Sequence, residues 1–258
     1  MALTVTILGC GTSSGVPRIG GDWGACDPTD PRNRRTRVSI LVESETTRIL
    51  VDTSPDMRAQ LLAAGVVHLD AVLWTHDHAD HTHGIDDLRQ VMHHRGSPVP
   101  GYGHPATMAG LTARFGYVFT GGQGYRPTVL AHDLPAAGPL MIGDIAVRAV
   151  DQPHGSIGSS GFRFDHGGKS AAYATDCDAV TDAMVALYAG VDCLVIDALR
   201  KKPHPTHLHL DLTLAAIART LPGQAVLTHM DQSLDYATLA AILPDGVEPG
   251  YDGLVIRL

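Results

Sequence analysis

AVLWTHDHADHTHG, residues 71–84, opens as a short apolar run and then sets four histidines and two aspartates into its last ten positions. Histidine is mostly uncharged near neutral pH, so a merely solvated loop would gain little from it. The spacing carries the meaning. His76 and His78 stand two apart at the expected end of a strand, where side chains two apart share a face, and two imidazoles on one face can grip one cation. Asp80 and His81 come after the chain has turned, so a second cation can sit beside the first. H-x-H-x-D-H is therefore read as a two-metal signature.

Working outward, the apolar run into Thr-His returns in AVLTHM, residues 225–230. Two halves that each deliver a histidine from a strand end would bring those histidines to one edge of a layered sheet. Short β-branched or alternating runs predict strands at 3–8, 38–42, 48–51, 71–74, 145–150, 161–164, 171–174, 193–196, 225–227 and 254–258. Helical spacing and start signals predict helices at 55–64, 85–94, 107–115, 178–188, 210–221 and 234–242. Strands and helices alternate, which makes this an α/β chain. With 258 residues and no low-complexity linker or charge block, one domain over 1–258 is expected. The stretch 116–127, GYVFTGGQGYRP, reads as a long loop and a candidate lid.

Composition narrows the classes. A hydrophobic content of 44% supports a buried core, while the longest apolar runs are far too short to span a bilayer. The opening residues lack the basic start and cleavage pattern of a signal peptide, so a cytoplasmic protein is expected. Four cysteines without a CxxC pair indicate neither a disulfide framework nor a thiolate zinc site. A formal charge of −8 argues against a general nucleic-acid binder, whereas fifteen histidines suit metal or acid-base chemistry.

Three lookalike motifs fail on context. GCGTSSG, residues 9–15, places Ser14 where a dinucleotide fingerprint needs its third glycine, and no helix follows it. The same stretch fits G-x-S-x-G through Ser13, yet that elbow also needs a strand-turn-helix. HGGKS, 166–170, has Arg163 where a phosphate loop needs its first glycine, and a hairpin turn accounts for it.

Beyond the histidine motif, ILVDTSPD (49–56), DQPHGS (151–156), YATDCD (173–178) and VLTHMD (226–231) complete a pattern that covers essentially the whole chain. In these segments the chain resembles the metallo-β-lactamase-fold hydrolases, which implies a four-layer αββα sandwich. The resemblance implies that His76, His78 and His154 hold one divalent metal and Asp80, His81 and His229 a second, with Asp176 bridging them. Zinc and manganese are the expected ions. Asp52 resembles the family's acid that orients a ligand histidine. A lactamase tends to show a cysteine at the place of Asp176, and an oxygen bridge suits phosphate esters.

LGCGTSSGVP (8–17), NRRTRVSILV (33–42), HGIDDLR (83–89) and GYDGLVIRL (250–258) resemble the cyclic phosphodiesterase branch. Those enzymes carry a further structural zinc site. Here its positions fall on Gly21, Trp23, Cys26 and Gln232, so two metals rather than three are expected. The resemblance further implies hydrolysis of a small cyclic or nucleotide-like phosphodiester, with Asp80 and Asp176 at the catalytic metals and His207 as proton donor. His209 is the reserve for that role, and Arg200, Lys201 and Lys202 are candidate phosphate contacts. The alternatives are a tRNA 3′-processing nuclease, which would be expected to carry a basic Gly-rich arm, and a protein resembling the pyrroloquinoline quinone synthesis branch. No membrane or nucleic-acid partner is expected, and a homodimer stays open.

Overall fold

The computed structural model describes residues 2–122 and 124–258. In the first half, β1 (Thr4–Gly9), β2 (Ser39–Glu43), β3 (Arg48–Val51), β4 (Ala71–Trp74), β5 (Val99–Gly103) and β6 (Val129–Asp133) are interleaved with α1 (Met57–Ala63), α2 (Ala79–Thr82), α3 (Leu88–Arg95) and α4 (Pro105–Thr120). The second half supplies β7 (Leu140–Ile142), β8 (Ile145–His154), β9 (Ile157–His166), β10 (Lys169–Ala174), β11 (Cys193–Asp197), β12 (Gln224–Thr228) and β13 (Val247–Pro249). With them come α5 (Asp182–Tyr188), α6 (Leu210–Thr220) and α7 (Tyr236–Ala240). The last strand, β14 (Val255–Arg257), returns to the first sheet.

The two sheets run β14-β1-β2-β3-β4-β5-β6 and β13-β12-β11-β10-β9-β8-β7. Strands β3 to β6 pair in parallel, and so do β10 to β13. The period of two in each strand sorts its side chains between layers. Ile40, Val42, Ile49 and Val51 join Phe162, Phe164, Tyr173 and Val195 in one core between the sheets. Leu41, Leu50, Val72 and Trp74 point the other way, into a second core with Met57, Leu88 and Leu111 from the helices. That order of layers is the αββα sandwich expected from sequence.

Several elements differ from expectation. β5, β6, β7 and β13 go beyond the expected strands; in β5 and β13, VPGYG and VEP carry the residues that normally break strands. In β5, Gly101 is required by packing: a Cβ there would lie 2.6 Å from the Trp74 ring. The expected loop at 116–127 shrinks, because α4 continues to Thr120 through a kink at Phe115, with Val118 buried beneath it. Gly122 and Tyr125 then exchange backbone hydrogen bonds, and Gln123, inside the expected loop, lies outside the described residues. HGGKS forms the β9–β10 hairpin, with Gly167 and Gly168 both at positive φ. Among the described residues no helix is long and apolar enough to cross a membrane.

Candidate metal centre

The segments that bear the candidate ligands leave the ends of β4, β8, β10 and β12 at one edge of the sandwich. His76 and His78 lie beyond the strand, since β4 stops at Trp74, so a shared strand face does not bring them together. The irregular turn before α2 does, placing their ring centroids 4.5 Å apart. His78 ends that turn in extended backbone, and Asp80 and His81 follow on α2 itself.

Sharp backbone turns build the rest of the site. Asp52, Asp176 and His229 adopt left-handed conformations, with φ of 64°, 53° and 57°. Each stands just after the end of β3, β10 or β12. A side chain there costs roughly 1–2 kcal/mol per residue, and aspartate bears it better than histidine. Tertiary structure must therefore hold these turns.

The structure brings all seven expected ligands together. His76, His78 and His154 offer donor atoms within 4.8 Å of one another, and so do Asp80, His81 and His229. Asp176 lies between the sets: its carboxylate is 3.9 Å from His76 Nε2, 3.7 Å from His154 Nε2, 3.2 Å from His81 Nε2 and 3.5 Å from His229 Nε2. Asp80 Oδ2 lies 3.5 Å from His81 and 3.6 Å from His229.

Hydrogen bonds on the far side of the rings fix which nitrogen faces inward. The Asp52 carboxylate accepts from Thr75 N–H at 2.8 Å and from His81 Nδ1–H at 2.7 Å, which leaves His81 Nε2 for the centre. Thr75 Oγ1 donates to Asp52, so it can only accept from His76 Nδ1–H at 3.0 Å. The Thr206 carbonyl accepts from His154 Nδ1–H at 2.7 Å.

The buried atoms His76 Nε2, His81 Nε2 and both ring nitrogens of His229 have no hydrogen-bond partner in the protein. Buried polar atoms left bare are costly, and a set of imidazoles and carboxylates converging this way fits divalent cations with nitrogen and oxygen preferences.

Electrostatics point the same way. Burial pushes the His76 ring well below its ordinary pKa, reinforced by the neighbouring His81. Burial also opposes charge on His81 and His229, but Asp176, Asp80 and, for His81, Asp52 outweigh it. His81 is raised well above its usual value and His229 is pushed up to about 9. The carboxyl of Asp80 is held well below its usual range by His81 and His229 against the effect of its own burial, and that of Asp176 by His229 and His81. At His81 and His229 the surrounding carboxylates thus favour positive charge.

His207 sits at the rim. Its Nδ1–H donates to Asp197 Oδ2 at 3.0 Å and lies 3.8 Å from Asp176. His209 is the residue before α6, its carbonyl taken by Thr213, and it joins none of these groups. The Arg200 guanidinium turns back to the carbonyls of Lys202 and Pro203, so it braces the loop that carries His207, while Lys201 and Lys202 are exposed. Asp77 points outward and pairs with Arg114. Sequence reasoning missed Asp197, a fully buried acid ending β11. Its signal was a lone carboxylate closing an otherwise apolar strand.

At the corner where the related enzymes carry a structural zinc that this chain is expected to lack, Cys26 Sγ lies 3.5 Å from the carbonyl oxygens of Gln232 and Leu234. The buried Arg35 guanidinium donates to Leu234 O at 2.7 Å, to Asp231 O at 3.2 Å and to Asn33 Oδ1 at 3.3 Å. Polar contacts of this kind hold the corner together.

Comparison with known proteins agrees with the fold. The model of the beta-lactamase superfamily domain matches residues 47–230. An octanoyltransferase of Porphyromonas gingivalis is 33% identical over 253 residues, which is 96% of this chain and 50% of that protein. The chain thus spans about half the length of that relative. Among solved structures, a diphosphatase of the PhnP family superposes with a TM-score of 0.91 at 36% identity, covering 100% of this chain and 98% of that one. Zinc-bound PqqB from Methylobacterium extorquens gives a TM-score of 0.81 at 23% identity, covering 99% and 100%, and so shares the fold.

Proposed function

The chain belongs to the beta-lactamase superfamily, and from that premise we propose that it is a binuclear metal-dependent hydrolase of small cyclic or nucleotide-like phosphodiesters. The observation that supports this most is the pair of ligand sets, His76/His78/His154 and Asp80/His81/His229, grouped about Asp176, with the inward nitrogens of His76, His81 and His229 bare. Two divalent cations bound there, zinc or manganese, would lower the pKa of water and offset charge on the phosphate.

The chain's own residues supply the rest. Asp80 and Asp176 carry negative charge to the cations, too little to neutralise two of them, so the pocket favours an anionic substrate. Asp197 fixes the His207 ring through Nδ1 and leaves Nε2 to hand a proton to the departing oxygen. The Arg200 contacts keep that loop in place. A diphosphate linkage is a second substrate class, favoured by the likeness to the PhnP-family diphosphatase.

The test is a panel of bis-p-nitrophenyl phosphate, a nucleoside 2′,3′-cyclic phosphate and a dinucleoside diphosphate, with and without exhaustive chelation. Hydrolysis that chelation abolishes and metal restores is expected, and it should be crippled in Asp176→Ala. A fully metal-loaded protein that cleaves none of the three, or cleavage that survives chelation, overturns the proposal.

A further inference from the structure

We propose that Gln152, with Ser159 and Tyr188, is the positioning device that holds Asp176 between the two ligand sets; this rests on the binuclear reading above. Asp176 stands at φ 53°, a conformation that needs an external hold. The hold is a chain of buried hydrogen bonds from α5 across β8 and β9 to the end of β10. Tyr188 Oη donates to Gln152 Oε1 at 3.0 Å. Gln152 Nε2 donates to the Thr175 carbonyl at 2.8 Å and to Ser159 Oγ at 3.0 Å. Ser159 Oγ in turn donates to the Asp176 carbonyl at 2.7 Å.

The direction of every bond is forced. The carbonyls of Thr175 and Asp176 can only accept, so the amide nitrogen of Gln152 must face Thr175, its oxygen must face Tyr188, and the one proton of Ser159 must go to Asp176. Such a network has one arrangement, and losing a member leaves partners bare in a site closed to water. Gln152, Ser159, Thr175 and Tyr188 are all buried.

Two further features tie the device to both sheets. Ser160 N–H donates to the Thr75 carbonyl at 2.8 Å, so the residue after Ser159 also holds the segment that carries His76. Gln152 lies on β8 two residues before His154, and both are buried. At Gly161 a Cβ would run into the Tyr188 hydroxyl and the Gln152 amide, so glycine there keeps the space the network occupies. Through Ser159 and its neighbour Ser160, the network thus connects Asp176 both to the strand that carries His154 and to the segment that carries His76.

The experiment compares Gln152→Ala, Ser159→Ala and Tyr188→Phe with Gln60→Ala. Gln60 is a control: a buried, hydrogen-bonded glutamine that serves Ser54, Thr36 and the Arg37 carbonyl. Zinc and manganese affinities come from chelator competition, with stability of the metal-free chain by denaturant and kcat and KM on a phosphodiester measured alongside. Changes to groups behind metal ligands typically cost about 10- to 100-fold in affinity or activity. That loss is expected for Gln152→Ala, with kcat falling and KM little changed, less for Ser159→Ala and least for Tyr188→Phe. Gln60→Ala should lose stability while keeping wild-type metal affinity.

If Gln152→Ala binds metal as wild type does, or if Gln60→Ala loses as much affinity for the same loss of stability, the positioning role is refuted. Because the affinity readout needs no turnover, a wild-type chain inactive on every diester would sink the functional proposal and leave this one to be judged on metal binding.

Discussion

Asp52→Asn is a small change with a large expected effect. The Asp52 carboxylate is fully buried, and it accepts from Thr75 N–H at Oδ1 and from His81 Nδ1–H at Oδ2. In the variant the backbone N–H of Thr75 still needs an acceptor, so the amide oxygen stays on that side and the NH2 faces His81. His81 Nδ1 must then accept, which moves its proton to Nε2, the nitrogen that faces Asp80 and Asp176. The bond lost is charge-assisted, worth about 1.5–3 kcal/mol. At about 1.4 kcal/mol per decade this is roughly a 10- to 150-fold weakening of the metal at Asp80, His81 and His229, and the tautomer change adds to it. The fold should survive, since asparagine tolerates the left-handed backbone at this position as well as aspartate does. Chelator competition on the two sites, with circular dichroism of the metal-free chain, is the assay. Metal affinities indistinguishable from wild type would refute the claim that Asp52 sets the tautomer of His81.

Three further outcomes follow from the same geometry. His207→Ala should slow an alkyl diester such as a nucleoside cyclic phosphate by roughly a hundredfold to ten-thousandfold, while p-nitrophenyl diesters, whose leaving group departs without a proton, fall far less. Equal losses on both substrates would make His207 a phosphate-positioning group, and a selective loss in His209→Ala instead would move the role by two residues. In the metal-free chain His229 has its folded pKa pushed up to about 9 from 6.5, so its contribution is full below 6.5 and is lost as pH rises through 9. That is a decline of about 3 kcal/mol across the window, measurable by denaturant titration and suppressed by saturating metal, and a flat profile would contradict it. Asp252 accepts from Cys10 N–H and from the Thr36 N–H and hydroxyl, yet burial pushes its carboxyl up to about 6 from 3.8. The folded state then holds a proton that the unfolded state releases, so stability should fall as pH rises from 3.8 to 6, and Asp252→Asn should remove that slope.

The candidate ligands were legible in sequence to different degrees: His76, His78, Asp80 and His81 through their spacing, His229 through the strand-to-histidine design that 71–76 and 225–230 share, and His154 and Asp176 only through the family resemblance. What sequence could not supply was the geometry that gathers them. His76 and His78 meet through an irregular turn, and the left-handed backbone at Asp52, Asp176 and His229 is invisible in residues that usually avoid it. Asp197 read as the end of an apolar strand until the fold set His207 against it, ten residues away. β5 was hidden because Pro100, Gly101 and Gly103 argue against a strand, whereas its interior position and the Trp74 ring against Gly101 are what call for the small residue. The end of α4 was masked by Gly116, and Val118 reveals its buried face only once the helical layer is in place.

Titration of the metal-stripped chain with zinc or manganese, with phosphodiester hydrolysis followed at each addition, tests the central claim most directly. Two ligand sets sharing Asp176 predict that activity rises with bound metal and breaks at two ions per chain, and that Asp176→Ala abolishes the break. Activity complete at one ion, or turnover already present in the stripped protein and indifferent to added metal, would contradict the account.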